Sequence, residues 1–220
     1  MKKRTVVEKH FDNISSNYDN YKKNNAYYYT NLKKLLKTLI PKESRVLEIG
    51  CGTGDILSAL APKDGFGMDL SSEMIGIARR KHFSNKHLKF STSLPIKKFN
   101  YIFMTDVVEH LEKPLEVFFK VERLMDNKSY FINTMANPLW EPLLMFWERM
   151  GWKMPEGPHK RLSFKQIKYL VNKSGMKIVK HDYRLLVPIK IPVLTEFANK
   201  YLERIFKRFA FIEYFIAVKA

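Results

Sequence analysis

The run Val46-Leu47-Glu48-Ile49-Gly50-Cys51-Gly52-Thr53-Gly54 constrains this chain more than any other stretch. It is a short apolar segment ending in three glycines at alternate positions, followed fifteen residues later by an acid, Asp69. The pattern reads as a strand, a tight turn and the start of a helix, a device that brings a ligand to the carboxyl edge of a parallel sheet. Glycine suits the turn because a side chain would hold the ligand away from the backbone, and because positive φ costs glycine little. A dinucleotide fingerprint would put its third glycine at position 55, where this chain has Asp55. An acid there repels a pyrophosphate. The expected ligand is therefore a nucleoside without phosphates, its ribose held by a carboxylate at the end of the second strand, Gly65-Phe66-Gly67-Met68-Asp69-Leu70.

S-adenosylmethionine fits that description, and the segment resembles the cofactor motif of the class I S-adenosylmethionine-dependent methyltransferases. Phe11-Asp12 followed by Tyr18-Asp19 resembles the start of many members that act on small molecules. Asp106-Val107-Val108-Glu109-His110-Leu111 resembles the segment after their fourth strand. His159-Lys160-Arg161-Leu162-Ser163-Phe164, with Leu170 and Gly175, resembles the pattern that opens a late helix in the ubiquinone-type O-methyltransferases. The resemblance implies an α/β Rossmann-like fold, with a seven-stranded, mostly parallel sheet, a C-terminal antiparallel hairpin and helices on both faces.

The chain has 220 residues, 45% of them hydrophobic, enough for one substantial core. One domain is expected, divided into an N-terminal helical cap (1–42), a cofactor-binding core (43–135), a substrate lid (136–162) and a C-terminal helix and hairpin (163–220) with a helical insertion (192–209). The single cysteine, Cys51, lies in the glycine turn, so no intrachain disulfide can form and a reducing compartment is expected. The basic start lacks the apolar core of a signal peptide, and no apolar run has the length of a membrane span. These features point to the cytoplasm, with the membrane surface as a second place of action.

Periodicity places the elements. Tyr28, Leu32, Leu35, Leu36 and Leu39 have helical spacing and stop at Pro41. Strands are expected at Arg45–Ile49, Gly65–Asp69, Leu88–Thr92, Tyr101–Thr105 and Ser129–Asn133, with helices at 54–61 and from Ser71 or Ser72 onward. Lys177–Arg184 and Phe211–Lys219 are the candidates for the hairpin. Two segments exceed the minimal fold. Asn137–Pro158 is aromatic, with Trp140, Phe146, Trp147 and Trp152, and reads as a lid over an acceptor or as a connecting helix. Between the last two strands, Val193, Leu194, Phe197, Ala198, Tyr201, Leu202, Ile205, Phe206 and Phe209 form an apolar stripe opposite Lys200, Arg204, Lys207 and Arg208. This basic amphipathic helix, 193–209, suits a core face or a lid ahead of an anionic membrane surface.

Methyl transfer from a sulfonium is an in-line displacement whose leaving group is already activated. The protein must chiefly align acceptor, methyl and sulfur in a dry site. A base is needed only where the acceptor loses a proton, and a histidine suits a hydroxyl. His110 and His159 are the candidates, each with a structural role as its alternative. On the cofactor side the resemblance assigns Gly50, Cys51, Gly52 and Gly54 to the methionyl part and Glu48 to the turn or the ligand's amino group. Asp69 falls to the ribose, Leu70 and Met74 to the adenine, with Ser91, Thr92 and Asp106 completing the wall. The chain departs from the pattern at Phe90-Ser91-Thr92-Ser93-Leu94-Pro95, where hydroxyls replace the usual aspartate, and at Asn100.

The expected acceptor is a small molecule with an apolar body, methylated at oxygen and yielding S-adenosylhomocysteine. No metal is expected, because no His, Asp and Glu cluster has ligand spacing. The formal charge of +17 would attract nucleic acid, yet the positive residues are spread. The Asn/Asp-Pro-Pro-aromatic motif of base-directed enzymes is also absent after strand four, so RNA is the weaker alternative. A non-catalytic module that keeps the fold is the third; the intact glycines and Asp69 argue against it.

Overall fold

The computed structural model describes residues 5–150, 157 and 159–220. Trp152, counted above with the aromatic insertion, lies outside them. A strand covered on both faces reads as a continuous apolar run, and β1 (Arg45–Ile49) buries every residue from Val46 to Ile49. It pairs in parallel with β2 (Asp64–Met68) and β4 (Phe99–Thr105). β3 (Leu88–Ser91) joins β2, and β5 (Met125–Ala136) joins β4, both in parallel. β7 (Ile212–Lys219) runs antiparallel between β5 and β6 (Met176–Arg184), closing a seven-stranded sheet of order β3-β2-β1-β4-β5-β7-β6. The order reverses between β1 and β4, where ligands lie at the carboxyl edge of such sheets.

Helices cover both faces. α3 (Ala26–Leu39), α4 (Asp55–Ala59) and α5 (Ser72–Lys81) pack one core through Leu32, Leu36, Leu57 and Ile75. α6 (Pro114–Arg123) and α8 (Phe164–Lys173) pack the other through Phe118, Val121, Ile167 and Val171. Local chemistry sets their starts. The Ser71 hydroxyl accepts from the Met74 N–H at 3.1 Å, and Ser163 forms a capping box with Gln166. α1 (Val6–Ile14) and α2 (Tyr18–Asn24) precede α3 and lie over the sheet's carboxyl edge.

The two added segments sit side by side. After β5 the chain makes a turn at Pro138–Trp140 and then α7 (Glu141–Arg149). Between β6 and β7 the expected single helix over 193–209 is replaced by shorter pieces. These are α9 (Leu194–Phe197), a wide π-turn over Ala198–Leu202 and a 3-10 turn at Lys207–Phe209. The core reading of its stripe is also corrected. Val193, Leu194, Phe197, Tyr201, Ile205, Phe206 and Phe209 are exposed, and of the stripe only Ala198 is fully buried. The physical reason lies on the opposite side of the segment, where the Thr195, Asn199 and Glu203 side chains bond to the preceding backbone. Among the described residues no helix is long and apolar enough to cross a membrane.

Candidate functional site

The glycine turn leaves β1 with Gly50, Gly52 and Gly54 all at positive φ, +77°, +51° and +80°. A Cβ on Gly50 would stand 2.3 Å from Val107 Cγ2, and one on Gly52 would stand 2.9 Å from the Tyr18 ring. Both positions therefore exclude a side chain by backbone conformation and by space. The Gly50 and Cys51 amides donate to the Met68 carbonyl at 2.7 and 3.0 Å, tying the turn to β2.

Asp69, at the end of β2, pins that arrangement. Its Oδ2 accepts from the Gly52 amide at 2.8 Å and its Oδ1 from the Ser71 amide at 2.9 Å. Asp69 lines the cavity, and each carboxylate oxygen can accept a further hydrogen bond. Burial raises its pKa, against the lowering by the Ser71 and Gly52 amides. Glu48 is buried on β1, and its Oε2 accepts from the Leu57 amide at 3.1 Å. Burial pushes its pKa up to about 8, opposed by Lys22 and by the Leu57 amide.

These residues form one wall of a cavity of about 590 Å³, within the range of small-molecule sites. Glu48, Gly50, Cys51, Gly52, Asp69, Leu70, Met74, Asp106 and His110 all line it. Gly54 stands behind the turn, and neither Ser91 nor Thr92 reaches the wall; Leu94 takes their place. The Ser91 hydroxyl instead bonds to the Ser93 amide at 3.2 Å. Asn100 is at the far end of the sheet, where its Oδ1 accepts from the Arg45 amide.

The rest of the lining is aromatic and comes from elements outside the sheet core: Phe11, Tyr28, Tyr29, Trp147 and Phe211, with Leu144 and Ile189. Tyr28 meets Phe211 edge-on, with 5.3 Å between ring centroids, and donates to Asp106 Oδ2 at 2.6 Å. Asp106 itself stands at φ +54°, a conformation uncommon outside glycine and typical of functional turns. His110 faces the cavity with its ring against Phe11 at 5.5 Å. His159 does not reach the wall. Its ring lies 6.1 Å behind His110, and its Nε2 meets Glu141 Oε1 at 3.1 Å. Arg161, also paired with Glu141, completes that cluster beside the buried Glu109.

The N-terminal helices are latched over the cofactor wall. Ser71 Oγ donates to Asp12, Thr53 Oγ1 donates to Asp19 at 2.6 Å, and Lys81 pairs with Asp19 and Asp55. They deliver a residue that the sequence reading passed over. Lys22 is buried, lines the cavity, and rests its ammonium 4.8 Å from the Tyr18 centroid and 5.1 Å from the Tyr29 centroid. No carboxylate among the described residues pairs with it. By sequence alone Lys22-Lys23 is one of the scattered positive pairs. The signal was its place four residues after Tyr18, one helical turn, within the segment that packs on the glycine turn.

The seven-stranded sheet, its antiparallel hairpin and the glycine cradle at its carboxyl edge define the class I methyltransferase fold. The chain belongs to a methyltransferase-domain family, whose model matches residues 21–181, and S-adenosylmethionine is the cofactor of that class. The chain is 33% identical over 137 residues to the fatty-acid O-methyltransferase of Mycolicibacterium smegmatis, covering 58% of this chain and 48% of that protein. It is 30% identical over 138 residues to an uncharacterized protein of Methanocaldococcus jannaschii, covering 60% and 52%. The chain thus spans about half the length of these relatives. Among solved structures it is similar to a possible histamine N-methyltransferase of Thermotoga maritima, with TM-score 0.70, 18% identity and coverage of 97% and 100%. It is equally similar to the magnesium protoporphyrin IX methyltransferase of Synechocystis, solved with S-adenosylhomocysteine bound, with TM-score 0.70, 16% identity and coverage of 99% and 100%.

Proposed function

We propose that this protein transfers the methyl group of S-adenosylmethionine to a hydroxyl of a small, apolar-bodied or lipid-like acceptor, and that it does so in the cytoplasm. The observation that carries the reading is one cavity lined both by the glycine turn with its carboxylates and by a set of aromatic side chains. The cradle fits the cofactor because glycines packed against Val107 and Tyr18 hold the turn at positive φ beside the Asp69 carboxylate, on the cavity wall. When bound, the cofactor supplies a methyl group on a positively charged sulfur.

The chain's own residues then hold and align. Asp69 takes the ribose hydroxyls, and Leu70 and Met74 flank the adenine. Glu48 meets the ammonium of the amino-acid end, and Lys22 meets its carboxylate. The aromatic wall excludes water and seats the acceptor's apolar body, so that its hydroxyl points at the cofactor wall. His110 is the only imidazole on the cavity wall among the described residues and serves as the base; His159 and Glu141 hold its neighbourhood. The resemblance to a fatty-acid O-methyltransferase supports an apolar acceptor body.

Labelled S-adenosylmethionine incubated with fractionated extracts tests this. Label is expected in the organic-soluble fraction, and His110→Ala is expected to lower kcat by about 10²-fold or more with little change in KM. Label confined to the aqueous fraction would contradict the lipid-like acceptor, and unchanged turnover would remove His110 as base.

A further inference from the structure

The segment between β6 and β7 is built inside out for a water-facing helix. Along it, Thr195, Asn199 and Glu203 recur every four residues and turn inward. Thr195 Oγ1 donates to the Ile189 carbonyl and accepts from the Ile191 amide, both at 2.8 Å. Asn199 bonds both ways to the Val187 backbone, at 2.8 and 3.0 Å, and Glu203 accepts from the Leu185 amide at 2.8 Å. The polar seam is thus consumed by the protein. The apolar residues face outward, with Val193 82% and Ile205 74% exposed. Large exposed apolar patches rimmed by charge mark interaction sites.

The patch does not end there. Trp140 Nε1 donates to the Phe209 carbonyl at 2.9 Å, and the Asn137 amide group donates to the carbonyls of Arg208 and Ala210 at 2.9 Å each. These bonds seat the other insertion alongside, and α7 with the residue that follows it adds exposed Leu143, Phe146 and Met150. The inner sides of the same two segments contribute Leu144, Trp147 and Ile189 to the aromatic wall of the cavity. The exposed apolar residues of both insertions therefore belong to two joined segments that also wall the cavity. Lys190, Lys200, Arg204 and Arg208 stand exposed on or beside them.

We propose that the two insertions form a single membrane-docking face, and that the acceptor is a bilayer-resident amphiphile which enters the cavity directly from an anionic lipid surface. The proposal rests on the apolar-acceptor reading above and adds where that acceptor comes from. Charge complementarity selects the occupant: exposed apolar side chains interspersed with unspent cations match the interface of an anionic bilayer, where both are satisfied together.

Co-sedimentation with vesicles of phosphatidylcholine alone, or mixed with phosphatidylglycerol, tests it at low and high salt. The protein is expected to bind the mixed vesicles, more weakly as salt rises. Ile205→Asp combined with Phe197→Asp is expected to lower the bound fraction at least tenfold, and Phe146→Asp, on the other insertion, to lower it as well. All three replaced side chains are exposed, so thermal unfolding and titration with S-adenosylhomocysteine should be unchanged. Loss of that titration in the unmodified protein would strike the cofactor reading and leave the docking result standing by itself. No binding to mixed vesicles at low salt overturns the proposal. So does self-association in sedimentation velocity that the same substitutions abolish, which would make the face a contact between copies of this chain. Binding that survives Phe146→Asp overturns the composite face.

Discussion

Glu48→Gln is expected to make the unliganded protein more stable at pH 8.5 while weakening its hold on S-adenosylhomocysteine. Burial raises the Glu48 pKa from an ordinary carboxylate value to about 8, so between those values the folded chain holds a proton that the unfolded chain has released. Stability contributed by this group is therefore greatest below the unfolded pKa. It falls as pH rises toward the folded value and is level above it. At about 1.4 kcal/mol per pH unit the full loss is on the order of 3–5 kcal/mol. Glutamine does not titrate and can still accept the Leu57 amide, so the variant's melting temperature should change less between pH 5.5 and 8.5. The ligand's ammonium, placed against Glu48, favours the carboxylate and expels the proton. Calorimetry at pH 7 in buffers of different ionisation enthalpy should then show proton release on binding to the unmodified protein and none with Glu48→Gln. Equal proton release from both would remove Glu48 from the site.

Lys22→Met is the second large effect, and it separates one end of the ligand from the other. A charge-assisted hydrogen bond contributes roughly 1.5–3 kcal/mol, or about a 10- to 150-fold change in affinity. S-adenosylhomocysteine carries the carboxylate that Lys22 would meet, whereas methylthioadenosine has the same nucleoside and no amino-acid end. The substitution is expected to weaken the first ligand by at least tenfold and leave the second within about twofold. Lys22→Arg should restore part of the loss. Equal weakening of both ligands would mean that Lys22 supports the packing of Tyr18 and Tyr29 and touches no carboxylate.

The parallel core was legible because β1 and the second half of β4 are buried along their length, while β2 and β3 alternate between buried and less buried residues and are bounded by turns; β1 has the expected ends, and β2 and β3 differ by a residue. β5 extends to Met125–Ala136 against an expected Ser129–Asn133. Asp126, Asn127 and Lys128 interrupt its apolar run, yet Ser129 Oγ accepts the Asp126 amide and donates to the Phe99 carbonyl, holding the polar stretch in the ladder. At the N-terminus only α3 carries a core stripe. α1 buries no residue although its apolar residues recur at helical spacing, because Val7 and Phe11 face the cavity and Val6 faces solvent. The cofactor wall was readable from Glu48, the glycines and Asp69 because backbone geometry dictates those residue types. Of the aromatic lining only Trp147 was readable, as part of the aromatic insertion, since Tyr28 and Phe211 meet only through tertiary packing across distant segments. The stripe at 193–209 was visible as a stripe, but which side faces water depends on backbone partners for Thr195, Asn199 and Glu203 that no local pattern encodes.

The central claim is that the glycine turn and Asp69 hold an S-adenosyl ligand. Calorimetric titration with S-adenosylhomocysteine, run beside Asp69→Ala, tests it most directly. Removing the carboxylate takes away the ribose contacts and also frees the Gly52 and Ser71 amides, so circular dichroism should accompany the titration. The account predicts micromolar binding by the unmodified protein and at least a tenfold loss in the folded variant, equivalent to about 1.4 kcal/mol or more. No binding to the folded, unmodified protein would contradict it.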